Sequence, residues 1–110
     1  MMSMEILNAA GIPNWPARCP NPPAGTYGIY FDDVTTEPGP DPVVGVPRLV
    51  RHDVMVELYE AIQDPDAEAA LEAELDARGT HYEKQARYWL QNVQRYQVIY
   101  EFTFFEKRRA

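Results

Sequence analysis

The sequence predicts an α+β domain: a single antiparallel β-sheet of about four strands, in the order β-β-α-β-β, with one main helix packed on one face and a candidate short helix at the N-terminus. Three stretches carry that prediction. From Tyr96 to Phe105 the even positions Tyr96, Val98, Tyr100, Phe102 and Phe104 are all large and apolar, while Gln97, Ile99, Glu101, Thr103 and Phe105 are mixed. A period of two in β-branched and aromatic residues marks a strand with one face in a core. The same code runs through His52, Val54, Val56 and Leu58, alternating with Asp53, Met55, Glu57 and Tyr59. Between these two stretches, Asp64-Pro65 opens a helical pattern that ends at Gly79. Two long strands of this kind need each other, and a helix to cover the apolar face they share.

The chain reads as one domain over residues 1–110, with an N-terminal helix and Pro-rich segment at 1–25 and an α+β core at 26–106. In Met1–Ala10, Ser3 is a candidate N-cap, Ile6, Leu7 and Ala10 share a side, and Gly11 sits where a C-terminal cap belongs. From Pro13 to Gly25 the prolines at 13, 16, 20, 22 and 23 predict an irregular connection that excludes helix and sheet interior. Trp15 in that segment has two readings, a plug at the edge of the core or an exposed anchor for a partner. Thr26–Asp33 reads as the first strand, with Tyr27, Ile29 and Phe31 on one face and Gly28, Tyr30 and Asp32 on the other. A long Pro/Gly-rich loop follows at 34–47, a length usually associated with mobility or function. The second strand runs from Arg48 to about residue 60.

In the helix, Asp64 is the expected N-cap and Pro65 the first residue, where its missing N–H is harmless. Ala67, Ala70, Leu71, Glu74, Leu75 and Arg78 form its inner side, and Glu68, Glu72 and Asp76 an acidic outer face. Thr80–Leu90 reads as one third strand, with Tyr82, Ala86, Tyr88 and Leu90 on one parity and His81, Glu83, Arg87 and Trp89 on the other. Asn92–Arg95 turns into the last strand. The expected core is Val56, Leu58, Val98, Tyr100 and Phe102, with Leu71 and Leu75 against them.

Composition narrows the function. With 17 acidic against 10 basic residues and a net charge of −7, the chain is a poor direct ligand for duplex nucleic acid or an anionic membrane. The lone Cys19 cannot form an internal disulfide, so a reducing compartment is expected. The sequence lacks both a long apolar run and a signal-peptide pattern, so the expected product is a soluble protein made in the cytosol. There is no phosphate-binding glycine loop and no C-x-x-C pair. His52 and Asp53 point to opposite faces of a strand; His81 and Glu83 share a face, but two ligands are too few for a metal site. Cys19 stands beside Arg18 with no His near in sequence. These residues supply no catalytic, cofactor-binding or metal-ligating set.

One combination is more specific. Tyr27, Tyr30, Asp32 and Asp33 are followed by Val56-Glu57-Leu58-Tyr59 with Asp64-Pro65, by the helix carrying Glu68, Leu71, Leu75 and Gly79, then by Tyr82-Glu83 and Tyr96–Phe102. This pattern resembles the tail-terminator and minor head–tail joining proteins of tailed bacteriophages and prophages, over Tyr27–Phe105. It departs from that family in the Pro-rich loop Glu37–Pro47 and in Leu90–Gln94, which lacks an acidic, Ser-containing turn. The resemblance implies a structural virion protein of the neck, a ring usually of six copies that terminates the tail tube and meets the head connector. It further implies no active site and no cofactor. The partners would be the chain itself, tail-tube protein and head-completion or connector proteins, with DNA passing through the lumen unbound and no membrane. The location implied is the head–tail junction of the virion, after synthesis in the host bacterial cytoplasm. Candidate contacts with neighbours are Trp15, Glu37, Pro38, Asp41, Arg48, Arg87, Lys107, Arg108 and Arg109. The alternatives are a small acidic interaction module or regulator, and an enzyme.

Overall fold

The computed structural model describes residues 2–36 and 47–109. Within them the elements are α1 (Met2–Ala9), β1 (Asn14–Pro16), β2 (Tyr27–Thr36), β3 (Pro47–Glu60), α2 (Pro65–Ala77), β4 (Tyr82–Lys84), β5 (Tyr88–Leu90) and β6 (Arg95–Arg109). The strands form one six-stranded sheet in the order β1-β2-β3-β6-β4, with β5 also paired to β6. This corrects the expected four-stranded antiparallel sheet with one main helix: the sheet is mixed, because β1 runs parallel to β2, and it carries two helices.

Two local features account for the difference. The first is β1, inside the Pro-rich segment expected to be an irregular connection, which joins the sheet as an edge strand. Its pairing uses the Pro13 carbonyl, which accepts from Gly28 N at 2.8 Å, and the Ala17 N–H, which donates to the Tyr30 carbonyl at 3.0 Å. Bonding positions alternate along an edge strand, so the nitrogen of Pro16 lies on the free side, where no donor is needed. The chain leaves β1 through Ala17, in the left-handed region at φ 63°. The second feature is the expected third strand, which is broken. Lys84 pairs with Tyr100 and Tyr88 with Gln97, so four steps on one side match three on the other. That extra residue is a bulge, and it reverses parity. Tyr82 therefore shares a face with Phe102, whereas Tyr88 shares the opposite face with Gln97.

The register sets Tyr30, Val56 and Tyr100 side by side across β2, β3 and β6. Both helices cover this face. The core joins Ile6 and Leu7 of α1, Leu71 and Leu75 of α2, and Tyr30, Val54, Val56, Leu58, Val98, Tyr100 and Phe102 of the sheet. The expected core residues are all in it. Gly28 lets α1 settle closely: a Cβ there would lie 3.3 Å from Leu7 Cδ2.

The helix ends follow from their capping residues. Asp64 accepts from Ala67 N at 3.1 Å and is fixed in turn by Thr26 Oγ1 at 2.6 Å. Gly79 (φ 66°) closes α2, with Thr80 N donating to the Leu75 carbonyl, and Gly11 (φ 74°) closes α1 in the same way, with Ile12 N donating to that of Leu7. Two assignments on α2 are reversed: Glu68 is buried rather than part of an outer acidic face, and Glu72 turns to the sheet, where it accepts from Tyr82 and Tyr100. Positions 68, 71 and 75 follow the three- and four-residue steps of a single helical stripe.

Candidate interaction surface

The face of the sheet away from the helices divides into a covered end and an open end. At the covered end Tyr27 stacks on Tyr59 at 5.1 Å and meets Trp15 edge-on at 6.2 Å, while Arg95 donates to the Pro23 carbonyl at 3.2 Å. Trp15 is thus half-buried against Tyr27, in the position of an edge plug. Tyr27 and Ile29 are buried beside it.

Toward the other end lies a groove of about 550 Å³ whose lining includes Phe31, Met55, Asp33, Asp53, Glu83 and Glu101. Its carboxylates come from four adjacent strands. Asp33 stands opposite Asp53, and Glu83 opposite Glu101. Asp53 is satisfied: Thr103 Oγ1 donates to it at 2.7 Å and Arg51 Nε at 3.1 Å. The Thr103 hydrogen bond, then the Arg51 guanidinium, holds its carboxyl below the usual range. Asp33, Glu83 and Glu101 have no ion-pair partner among the described residues. Among the described residues, no group of three or more His, Cys, Asp or Glu is arranged to hold a metal.

Beyond this groove β2, β3 and β6 continue as a three-stranded arm. β3 and β6 stay paired to Pro47↔Arg109, and β2 follows β3 to Thr36↔Val50. β1 accompanies β2 only as far as Tyr30, and β4 accompanies β6 only as far as Phe102. Residues 31–36 of β2 and 103–109 of β6 therefore each present an edge without a strand partner among the described residues. On the helix side of the arm, His52 Nδ1 lies 3.0 Å from both carboxylate oxygens of Asp32, with side chains 6% and 4% exposed. The Phe104 ring stacks on the imidazole at 4.3 Å. An imidazole oriented by a carboxylate also occurs in hydrolase triads. Here the ring is buried, and the pair ties β2 to β3. His52 and Asp53 do point to opposite faces; Asp32, the true partner, was hidden on a strand 20 residues away.

A second polar assembly joins the end of β3 to α2. Glu60, fully buried, has its carboxyl pushed up to about 7 by burial and by the neighbouring Glu68. Burial opposes ionisation of Glu68 too, but hydrogen bonds from Glu60, Lys84 and Arg87 outweigh it and hold that carboxyl down to about 2. Burial thus favours the neutral form of Glu60, and the surrounding donors the charged form of Glu68. Lys84 Nζ lies 2.9 Å from Glu68 and 3.0 Å from Glu72, and Tyr100 donates to Glu72 at 2.9 Å. The bulge between β4 and β5 brings Arg87 into this network, hydrogen-bonded to Glu68 and 3.5 Å from Glu60. Sequence reasoning offered Arg87 as a contact with neighbours. The structure uses its charge inside the subunit.

Of the remaining sequence candidates, Arg48, Lys107, Arg108 and Arg109 lie on the strands at the far end of the arm. Arg48 stands opposite Arg108, and Lys107 and Arg109 opposite Leu49 and Pro47, so the basic C-terminal residues belong to a strand. Glu37, Pro38 and Asp41, with the centre of the expected loop, lie outside the described residues; Val34–Thr36 and Pro47, at its expected ends, are strand. The opposite end of the molecule carries exposed apolar side chains that sequence reasoning did not single out. Tyr88, Trp89, Val93 and Ile62 are 49%, 45%, 43% and 77% exposed. The alternation in Thr80–Leu90 was visible, but the bulge that brings Tyr88 and Trp89 to the surface was not.

No helix among the described residues is long and apolar enough to cross a membrane. The chain matches no family model and no curated protein.

Proposed function

We propose that this chain is a structural subunit of a tailed-bacteriophage neck. In this reading copies of it form a ring, of six, that terminates the tail tube and joins it to the head connector. The observation that carries the reading is the arm with its two open edges, β2 on one side and β6 on the other. An unpaired edge is a template for a further strand, and two different edges on one body make a head-to-tail contact that repeats until it closes. The ends of the molecule differ in kind, a basic strand end at one and the exposed side chains of Tyr88, Trp89 and Val93 at the other. That asymmetry suits a subunit meeting tail-tube protein on one side and head-completion or connector protein on the other. An acidic ring, from subunits of net charge −7, lets DNA slide through without being held. The protein would reside at the head–tail junction of the virion after synthesis in the host bacterial cytoplasm.

The test is mass measurement and negative-stain imaging of the purified chain, alone and with tail-tube protein. A closed ring that caps tubes is expected. A monodisperse monomer under both conditions would overturn the proposal.

A further inference from the structure

We propose that the acidic groove receives the strand end bearing Lys107, Arg108 and Arg109 of a second copy of this chain. The inference rests on the self-assembling reading above and names its seam. Like charges directly opposite one another on neighbouring strands are destabilising, yet the register imposes two such pairs, Asp33 with Asp53 and Glu83 with Glu101. Arg51 offsets only Asp53. The groove is therefore a concave surface of unbalanced negative charge, with Phe31 and Met55 in its lining to receive an aliphatic stem or the face of a guanidinium.

The matching cations are on the same chain. Half of its ten Lys and Arg, namely Arg48, Arg51, Lys107, Arg108 and Arg109, lie on the paired ends of β3 and β6. Arg51 already meets Asp53; the other four lie farther along the arm. Along the backbone Arg48 is five residues from Asp53 on β3, roughly 17 Å at about 3.4 Å per residue. On β6 Lys107, the nearest of the three, is four residues beyond Thr103, roughly 14 Å at about 3.4 Å per residue. A neighbouring copy is not bound by that separation. Because the donating and accepting surfaces differ, the contact is heterologous and propagates from subunit to subunit. Its charge complementarity steers association and weakens with salt.

Charge reversal tests this on the full chain by analytical ultracentrifugation. The groove variant D33K/E83K/E101K and the strand-end variant K107E/R108E/R109E should each self-associate at least about tenfold more weakly than wild type. An equimolar mixture should recover assembly, because each supplies the surface the other needs. The milder D33N/E83Q/E101Q, with an unchanged thermal transition, should also lose association. Wild-type association by D33N/E83Q/E101Q, or no recovery in the mixture, would overturn the groove as the seam while leaving the ring intact. A wild-type chain that stays monomeric at every salt concentration would overturn the assembly reading itself.

Discussion

The helix-covered body and the arm are built from the same three strands, yet different forces hold them. In the body, β2, β3 and β6 press Tyr30, Val56, Leu58, Val98 and Tyr100 against Leu7, Leu71 and Leu75. Burial of apolar surface dominates there. In the arm the ladder of β3 and β6 continues unbroken, but beside the buried Val50 the side-chain ties are largely polar: Asp32 to His52 under Phe104, and Arg51 and Thr103 to Asp53. The comparison teaches a division of labour within one sheet. The body supplies stability, and the arm supplies unpaired edges and charge. A substitution in the body should therefore lower the stability of the whole subunit, whereas one beyond the Val54–Phe102 pair should act locally or on association.

The largest expected effect is in the body. Phe102→Ala removes a 5% exposed ring from the cluster between sheet and α2 and should destabilise by about 3–5 kcal/mol in urea unfolding. An unchanged midpoint would show that the body does not depend on that layer, and the contrast with the arm would fail.

The body was also the legible part. Period-two rows in β3 and β6, and the Asp64-Pro65 and Gly79 signals of α2, are local chemistry, and local chemistry can be read from a sequence. What escaped was decided by pairing between distant segments. The bulge between β4 and β5 shows only once Lys84 and Tyr88 are aligned with Tyr100 and Gln97. The parallel β1 needed the free side of Pro16 to be known, and the inward turn of Glu68 needed cationic partners on another strand. The groove is the extreme case. Asp33, Asp53, Glu83 and Glu101 are scattered in sequence and meet only through the register of four strands.

The next effect lies in the arm. Asp32→Ala leaves the buried His52 Nδ1 without its partner, which should cost about 1–3 kcal/mol. The loss should appear chiefly as faster hydrogen exchange in β2 and the outer half of β3. Uniform loss of protection, reaching Val98 and Tyr100, would mean that arm and body unfold as a single unit.

A pH series separates the two regions again. Glu60 binds its proton more readily in the folded state, so its contribution is complete below the unfolded value of 4.5 and is lost as pH rises through about 7. Glu68 contributes in the opposite sense, fully above 4.5 and progressively less as pH falls toward about 2. The pair is therefore most stabilising near pH 4.5, and stability should decline toward pH 8. Glu60→Gln keeps a donor for Glu68 and removes the titration, so it should flatten that decline by about 1–2 kcal/mol. Urea midpoints at pH 5 and pH 8 measure it. An equally steep decline in the variant would place the titrating group elsewhere.

The smallest effect on stability should accompany a larger one on association. Val34 and Phe105 are 51% and 55% exposed on the two outer strands of the arm. Their side chains contribute little to the subunit's own core, and threonine retains the β-branched preference for extended backbone. Replacing both with Thr should change stability by no more than about 0.5 kcal/mol, as for substitutions away from buried features. If the arm is the region through which copies meet, the same variant should weaken self-association, since apolar area at a seam is removed from water only in the assembly. Sedimentation equilibrium run beside urea unfolding separates the two quantities. A variant that loses stability but associates normally would reverse the roles given to body and arm.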